Sequence, residues 1–273
     1  MVRRTLQRMF SRILVAYLRH MPLERGKWRL LHAAAGFLVV QVEPGLWMRI
    51  TDPDDYMEKR AVYGQFEQEG LFEREEVEQF LSLAKPGMTF FDVGANIGWY
   101  SLLAANRVGP NGRVHAFEPT PKLVCKLKTQ LELNAFRNVT VNELAVSDHR
   151  GTARFFLHET DFLSSFAAVS DRAVTVPTVT LDEYIDANRI NRVDLMKIDV
   201  EGAEALVLAG AEKLLSGGHA PVIMMEVNPP LLEMMGTTSE NILVTLQRHG
   251  YEVSTLAEHE GYRNVLARKP NAH

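Results

Sequence analysis

This chain has little cysteine, no long apolar run and no excess of basic charge, and each shortage removes a class of function. Cys125 is the single cysteine in 273 residues. That excludes an internal disulfide and a cysteine-rich zinc site, and it suits a reducing compartment. The residue falls inside a helical pattern, Lys122-Leu123-Val124-Cys125-Lys126-Leu127, which fits an inert position better than a catalytic thiol. No apolar stretch reaches the ~18–20 residues needed to cross a bilayer. Arg8, Arg12 and Arg19 interrupt the apolar residues near the start, which speaks against a secretory signal. The expected location is the cytoplasm. A formal net charge of −4 gives no general pull toward nucleic acid, and none is expected as a partner. His115, His149, His158 and His249 lack metal-ligand spacing with one another, though His158 is a candidate base.

What charge there is lies unevenly. Residues 1–23 hold five arginines and no acid, and Leu6, Met9, Phe10, Ile13, Leu14, Tyr17 and Leu18 recur there at helical spacing with arginines on the other face. Such a helix can lie on an anionic membrane surface, giving a peripheral membrane contact through residues 1–20. The commoner arrangement docks the apolar face on the chain's own domain, or on a second copy in a homo-oligomer. Residues 52–79 hold ten acids against Lys59, Arg60 and Arg74, the mark of a solvated helix face. Segments 36–42 and 46–50 flank Pro44-Gly45 and read as a β-hairpin, and 67–84 reads as a helix. Pro86-Gly87 then breaks the chain. The expected division is an accessory segment over 1–85 and a core domain over 86–273.

From residue 88 strand and helix patterns alternate. Strands are expected over 88–93, 113–118, 139–144, 195–199 and 221–226, with a final hairpin-like pair near 251–255 and 264–267. Helices are expected over 99–107, 121–134, 181–188, 203–215 and 240–248, the last with Ser239 as N-cap. Polar strand-like pieces at 153–157 and 173–179 flank a loop over 159–168 expected to be mobile. Alternation of this kind predicts an α/β fold, with about seven core strands in a mostly parallel sheet and helices on both faces.

Three strand ends carry the chemistry. Phe90-Phe91-Asp92-Val93-Gly94-Ala95-Asn96-Ile97-Gly98 runs from a strand through a glycine-bearing turn into a helix. Gly112-Arg113-Val114-His115-Ala116-Phe117-Glu118-Pro119 ends a second strand in an acid, 26 residues after Asp92. Lys197-Ile198-Asp199-Val200-Glu201-Gly202 ends a third. Such ends converge on one crevice at the carboxyl edge of the sheet. The glycine spacing is not that of a dinucleotide fingerprint, since Asn96 stands where a second close-approach glycine is needed, and no P-loop Gly-Lys-Ser/Thr follows. Glu118 can accept hydrogen bonds from both hydroxyls of a ribose and would repel a phosphate there. Asp92 can brace the loop and face a positive charge. The ligand these parts describe is S-adenosylmethionine. Asp199 and Glu201 are the candidates for accepting a proton or positioning a methyl acceptor, with a first-turn helix acid as the alternative for Glu201. Lys197 reads as a buried ion-pair partner. Asp199, Glu226 and Asn228 offer oxygens that could hold magnesium, but a polar acceptor pocket would look the same, and no metal is assigned.

The stretch from Phe90 to Glu226 resembles the FkbM-type S-adenosylmethionine-dependent methyltransferases. The matching pieces are Asp92 to Gly98 and Val114 to Pro119. Glu143-Leu144-Ala145-Val146-Ser147-Asp148 and Thr180-Leu181-Asp182-Glu183 match too, as does Met196 through Glu204. Ser164-Ser165 sits where that family often has a serine pair, and Glu67 resembles its upstream region more weakly. The resemblance implies a seven-stranded Rossmann-like domain binding S-adenosylmethionine through Asp92, Gly94, Ala95, Asn96, Gly98, Glu118, Pro119 and Asp199. Residues Asn142 to Ala145 would border the adenine, often through backbone groups. It implies acceptors among sugar and polyketide hydroxyls, and some nitrogen nucleophiles. Trp99, where Tyr or Phe is commoner, and the arginine-rich start depart from the pattern. O-methylation of a sugar or small natural product is the expectation. N-methylation of a small molecule or peptide, or a non-catalytic cofactor-binding role, are the alternatives.

Overall fold

Apolar strands with acids at their ends assemble here into a seven-stranded sheet. The computed structural model describes residues 2–19, 24–52, 58, 73–157, 165–167, 171–217 and 221–270. Parallel strands β3 (Thr89–Val93), β4 (Arg113–Phe117) and β5 (Val139–Asn142) form one half. β9 (Leu195–Ile198) and β10 (Val222–Val227) continue it on the other side of β3. β12 (Arg263–Arg268) runs antiparallel to β10, and β11 (Glu252–Glu258) antiparallel to β12. The order is β11-β12-β10-β9-β3-β4-β5, so the chain reverses its direction of sheet growth at β3. That reversal opens a crevice beyond the carboxyl ends of β3 and β9, where ligands bind in such sheets.

Helices cover both faces. On one lie α4 (Trp99–Val108) and α5 (Pro121–Asn134), burying Leu102, Leu103, Leu123 and Leu127. On the other lie α6 (Leu181–Asn188), α7 (Glu204–Ala209), α8 (Glu212–Ser216) and α10 (Ser239–Arg248). Neighbouring Phe90 and Phe91 feed opposite cores, as the two-residue period of a strand requires. The short α9 (Pro229–Met234) follows β10.

The expected helix over 203–215 is two helices. The Asp182 carboxylate accepts the amides of Lys213 (2.8 Å) and Leu214 (3.0 Å), capping a new helix from a distance, while the Gly210 carbonyl accepts from the Asp182 amide. The N-cap of α10 is Thr238, whose hydroxyl accepts from the Asn241 amide; Ser239 is already inside the helix. The strand expected over 139–144 ends at Asn142. Its continuation, β6 (Ala145–Val146), leaves the main sheet and pairs with β8 (Ala173–Val179), which also pairs with β7 (Gly151–Phe156). The polar pieces thus form a separate three-stranded sheet. Most of the loop over 159–168, with His158 and Ser164, lies outside the described residues. Ser165 is buried and bridges Phe156.

Ahead of the sheet come α1 (Val2–Arg19), α2 (Glu24–Ala34) and the antiparallel hairpin of β1 (Val39–Glu43) and β2 (Leu46–Arg49). The hairpin packs Leu38, Val40, Leu46 and Met48 into the same core as α4 and α5. It is tied to α5 by Asn134 and Gln130, which bond the backbone of Trp47 and Arg49. The helix expected over 67–84 is described as α3 (Arg74–Leu83); Glu67 and the residues through 72 lie outside the described set. No described helix is long and apolar enough to cross a membrane.

Candidate active site

The turn after β3 sets the geometry. Gly94 has φ +87°, and a Cβ built on it would lie 1.8 Å from the Asp199 carbonyl oxygen, so the turn presses directly on the end of β9. The amides of Gly94 and Ala95 donate to the Phe117 carbonyl at 3.1 and 2.9 Å, drawing in the end of β4. Asn96 holds a left-handed φ of 52°, which asparagine tolerates better than most residues, and points its amide at Glu118.

Glu118 is 5% exposed. One oxygen accepts from the Asn96 amide at 2.9 Å and the other from the Thr120 amide at 2.8 Å. Burial pushes the carboxyl up to about 7 against the pull of these amides. Each oxygen keeps a second lone pair, and the group lines the central cavity. It is a fixed, oriented double acceptor, the arrangement a ribose diol requires.

Asp92 pairs in register with Lys197 across β3 and β9, and both line the cavity. Asp92 accepts a 2.5 Å hydrogen bond from the Ser101 hydroxyl, and burial raises its carboxyl to about 6. Burial disfavours the Lys197 charge, but Asp199, Glu73 and Glu226 outweigh it and hold the ammonium well above its ordinary range. Lys197 Nζ lies 2.9 Å from Asp199 Oδ2 and 5.3 Å from the centre of the Tyr100 ring. The expected ion pair is present.

Glu201 sits in the turn before α7 with φ 53°, a conformation that costs an L-residue about 1–2 kcal/mol. Its Oε2 is buried without a hydrogen-bond partner, and burial, reinforced by Asp199 and Glu204, raises the carboxyl to about 9. Burial also raises Glu226 well above its ordinary value. Asp199, Glu201 and Glu226 bring ligand atoms within 4.8 Å of one another. This trio could hold a divalent cation, yet Lys197 already bonds Asp199 from inside the site. The trio contains Glu201 where the sequence suggested Asn228, which lines the cavity wall instead.

The cavity is therefore lined by Asp92, Gly94, Ala95, Asn96, Glu118, Pro119, Ala145, Asp199 and Glu201 together. Gly98 and the side chain of Asn142 face elsewhere. A Cβ at Gly98 would meet Leu127 Cδ1 at 2.1 Å, so this glycine lets α4 approach α5 rather than lining the cavity. The Asn142 side chain donates to the Ala116 carbonyl at 3.0 Å, stitching β5 to β4.

Sequence reasoning missed Glu73 and the aromatic wall. Glu73 precedes α3 with φ 49°, accepts a 2.8 Å bond from the Tyr100 hydroxyl, and is raised by burial to about 7. Glu76, one turn on, anchors that helix by accepting from His259 Nε2 (2.6 Å) and Asn264 Nδ2 (2.9 Å) near the β11–β12 hairpin. Phe80 then stacks edge-on against Phe90 and Tyr100. Trp99, Tyr100, Phe155, Phe166 and Tyr262 close the cavity with apolar surface. Trp99 and Tyr100 follow the glycine turn directly in sequence; Phe155, Phe166 and Tyr262 arrive from distant elements.

The Methyltransferase FkbM domain, as a sequence family, matches residues 92–253, more than half of the chain. The 31-O-demethyl-FK506 methyltransferase FkbM of Streptomyces tacrolimicus is 32% identical over 163 residues, 47% of this chain and 61% of that protein. The hexuronic acid methyltransferase AglP of Haloferax volcanii is 23% identical over 199 residues, 73% of this chain and 78% of that one. The chain thus spans about three-fifths of the first relative's length. A putative rRNA-methylase from Clostridium thermocellum shares the fold with a TM-score of 0.50 and 15% identity, covering 73% of this chain and 96% of that one. With the converging strand ends and the motifs in their order, these likenesses make the chain a member of the methyltransferase FkbM domain family.

Proposed function

We propose that this protein transfers a methyl group from S-adenosylmethionine to a hydroxyl of a sugar or small natural product. The observation that carries the reading is Glu118: a buried carboxylate, fixed by two backbone amides, facing the same cavity as Asp199 and Glu201. The residues fit the cofactor. Glu118 would take the ribose hydroxyls, the Gly94–Asn96 turn and Asp92 the amino-acid tail, and the wall at Ala145 and Val146 the adenine. When bound, the cofactor supplies a methyl carbon already activated by its sulfonium.

The protein's work is alignment and the handling of one proton. Asp199, oriented by Lys197, would accept the proton as the acceptor O–H bond breaks and the new O–C bond forms, while the C–S bond breaks and S-adenosylhomocysteine leaves as the neutral thioether. Glu201 keeps its own proton at neutral pH, because burial lifts it to about 9, and so donates a hydrogen bond that orients the acceptor. The aromatic wall excludes water. Relatives named for 31-O-demethyl-FK506 and for hexuronic acid support an oxygen acceptor. We take 86–273 as the catalytic unit, since the family match begins at Asp92, with 1–85 as an accessory segment whose hairpin shares its core. The exposed free thiol of Cys125 suits a cytoplasmic setting.

The test is transfer of labelled methyl from S-adenosylmethionine into extracts and a panel of glycans, with the product identified by mass and NMR. A methyl ether is expected, with turnover by Asp199→Asn reduced by about 10²-fold or more. A labelled amine would overturn the oxygen assignment. Unchanged turnover in Asp199→Asn would overturn the role of Asp199.

A further inference from the structure

Helix α1 is attached to the body by its polar, arginine-bearing face, not by the apolar face expected to dock there. The Ser11 hydroxyl accepts from the Val39 amide at 3.1 Å, and Gln7 Nε2 donates to the Phe37 carbonyl at 2.5 Å. The Arg8 and Arg12 guanidinium groups lie 4.8 and 5.1 Å from the centre of the Trp47 ring. Arg12 also donates to Gln41 Oε1 at 2.7 Å, and Arg8 to the Leu133 carbonyl at 3.3 Å. These contacts fix the helix's orientation and turn its apolar stripe outward.

Leu6, Met9, Phe10, Ile13 and Tyr17 are 54%, 55%, 49%, 63% and 59% exposed. Their spacing puts them on one stripe roughly 16 Å long at a rise of 1.5 Å per residue. Leu30 of α2 and Phe37 in the following turn widen it, with Phe37 edge-on to Phe10 at 5.5 Å. Among the described residues, the only other large exposed hydrophobics are Val174 and Met234, on other elements. A contiguous apolar patch on one side of a protein marks an interaction surface.

Charge selects the occupant. The first acid in the chain is Glu24, and α1 carries Arg3 and Arg4 at its start and Arg19 at its end. A second copy packed stripe to stripe would bring two such helices together with no acid in either to balance them. An anionic lipid surface supplies both an apolar layer for the stripe and negative charge for the flanking arginines. We propose that the outward face of α1, extended by Leu30 and Phe37, docks this protein onto anionic bilayers. The inference is independent of the methyl-transfer reading.

The test is co-sedimentation of the full chain with vesicles of phosphatidylcholine alone or mixed with phosphatidylserine, alongside the double variant Phe10→Glu, Ile13→Glu. Both substituted side chains are already exposed, and thermal melting checks that the variant folds. The native chain is expected to pellet about tenfold more with the anionic vesicles, and less as salt is raised. The variant is expected to stay in the supernatant. Failure of the native chain to pellet with anionic vesicles would overturn the proposal, as would equal pelleting of the variant. Light scattering that shows a dimer abolished by the same substitutions, without vesicle binding, would assign the face to a second copy instead.

Discussion

Replacing Glu118 by glutamine changes one oxygen for an NH2 group and removes the charge, with nearly the same shape. In the native chain one carboxylate oxygen accepts from Asn96 at 2.9 Å and the other from Thr120 at 2.8 Å. Glutamine can satisfy only one of those amides; the other then faces a donor. Its burial without a partner costs about 1–3 kcal/mol of stability. The cofactor loses more specifically: one of two hydrogen bonds to the ribose disappears and the other loses its charge assistance. Hydrogen bonds to charged groups contribute ~1.5–3 kcal/mol, so affinity should fall about 10- to 150-fold. The pH dependence gives a second reading. Burial raises the native carboxyl to about 7, and ribose hydroxyls donate to its ionised form. The ionised fraction is about one-tenth at a pH one unit below the pKa and about nine-tenths one unit above. Affinity should therefore weaken roughly tenfold as pH falls from 8 to 6 in the native protein, and much less in Glu118→Gln. Isothermal titration with S-adenosylhomocysteine measures both, and a melting curve confirms that the variant folds. A folded variant binding within twofold of the native chain, with the same pH profile, would refute the assignment of Glu118 to the ribose.

Gly94→Ala should lose both stability and cofactor binding, because its Cβ would meet the Asp199 carbonyl oxygen at 1.8 Å in a left-handed conformation; a melting curve within 1 °C of native would contradict this. Glu201→Gln should stabilise the ligand-free protein at pH 8. The folded carboxyl, at about 9, holds its proton while the unfolded one, near 4.5, has lost it, so native stability falls as pH rises from about 4.5 to 9. Chemical denaturation should show a gain for the variant at pH 8, with an upper bound of about 5 kcal/mol, and none near pH 4, where both carboxyls are largely protonated. Phe80→Ala removes the ring linking α3 to Phe90 and Tyr100 and should cost about 3–5 kcal/mol in urea unfolding. It should also weaken turnover, since Glu73 and Tyr100 would lose their common support.

The main sheet was legible because its strands are short apolar runs alternating with helical patterns, several of them ending in acids, and that pattern depends only on local sequence. Adjacent parallel strands bring their end acids Asp92, Glu118 and Asp199 to one cavity. What could not be read depends on contacts between distant residues. Glu73 reaches the cavity because Glu76 is anchored by His259 and Asn264, more than 180 residues away. The division of the 203–215 segment into α7 and α8 follows from the Asp182 carboxylate. Gly98 read as a ligand contact because its proximity to Leu127 of α5 is invisible in a linear motif. In α1 the periodicity revealed an apolar stripe but not which side would meet the body. Trp47, drawing Arg8 and Arg12 inward, decided that.

The most direct measurement of the central claim is a crystal structure of the full chain grown with S-adenosylhomocysteine. The account predicts electron density with both ribose hydroxyls within hydrogen-bonding distance of Glu118, the amino-acid tail along the Gly94–Asn96 turn, and the sulfur turned toward Asp199 and Glu201. Density for the molecule outside that cavity, or with its ribose away from Glu118, would contradict it.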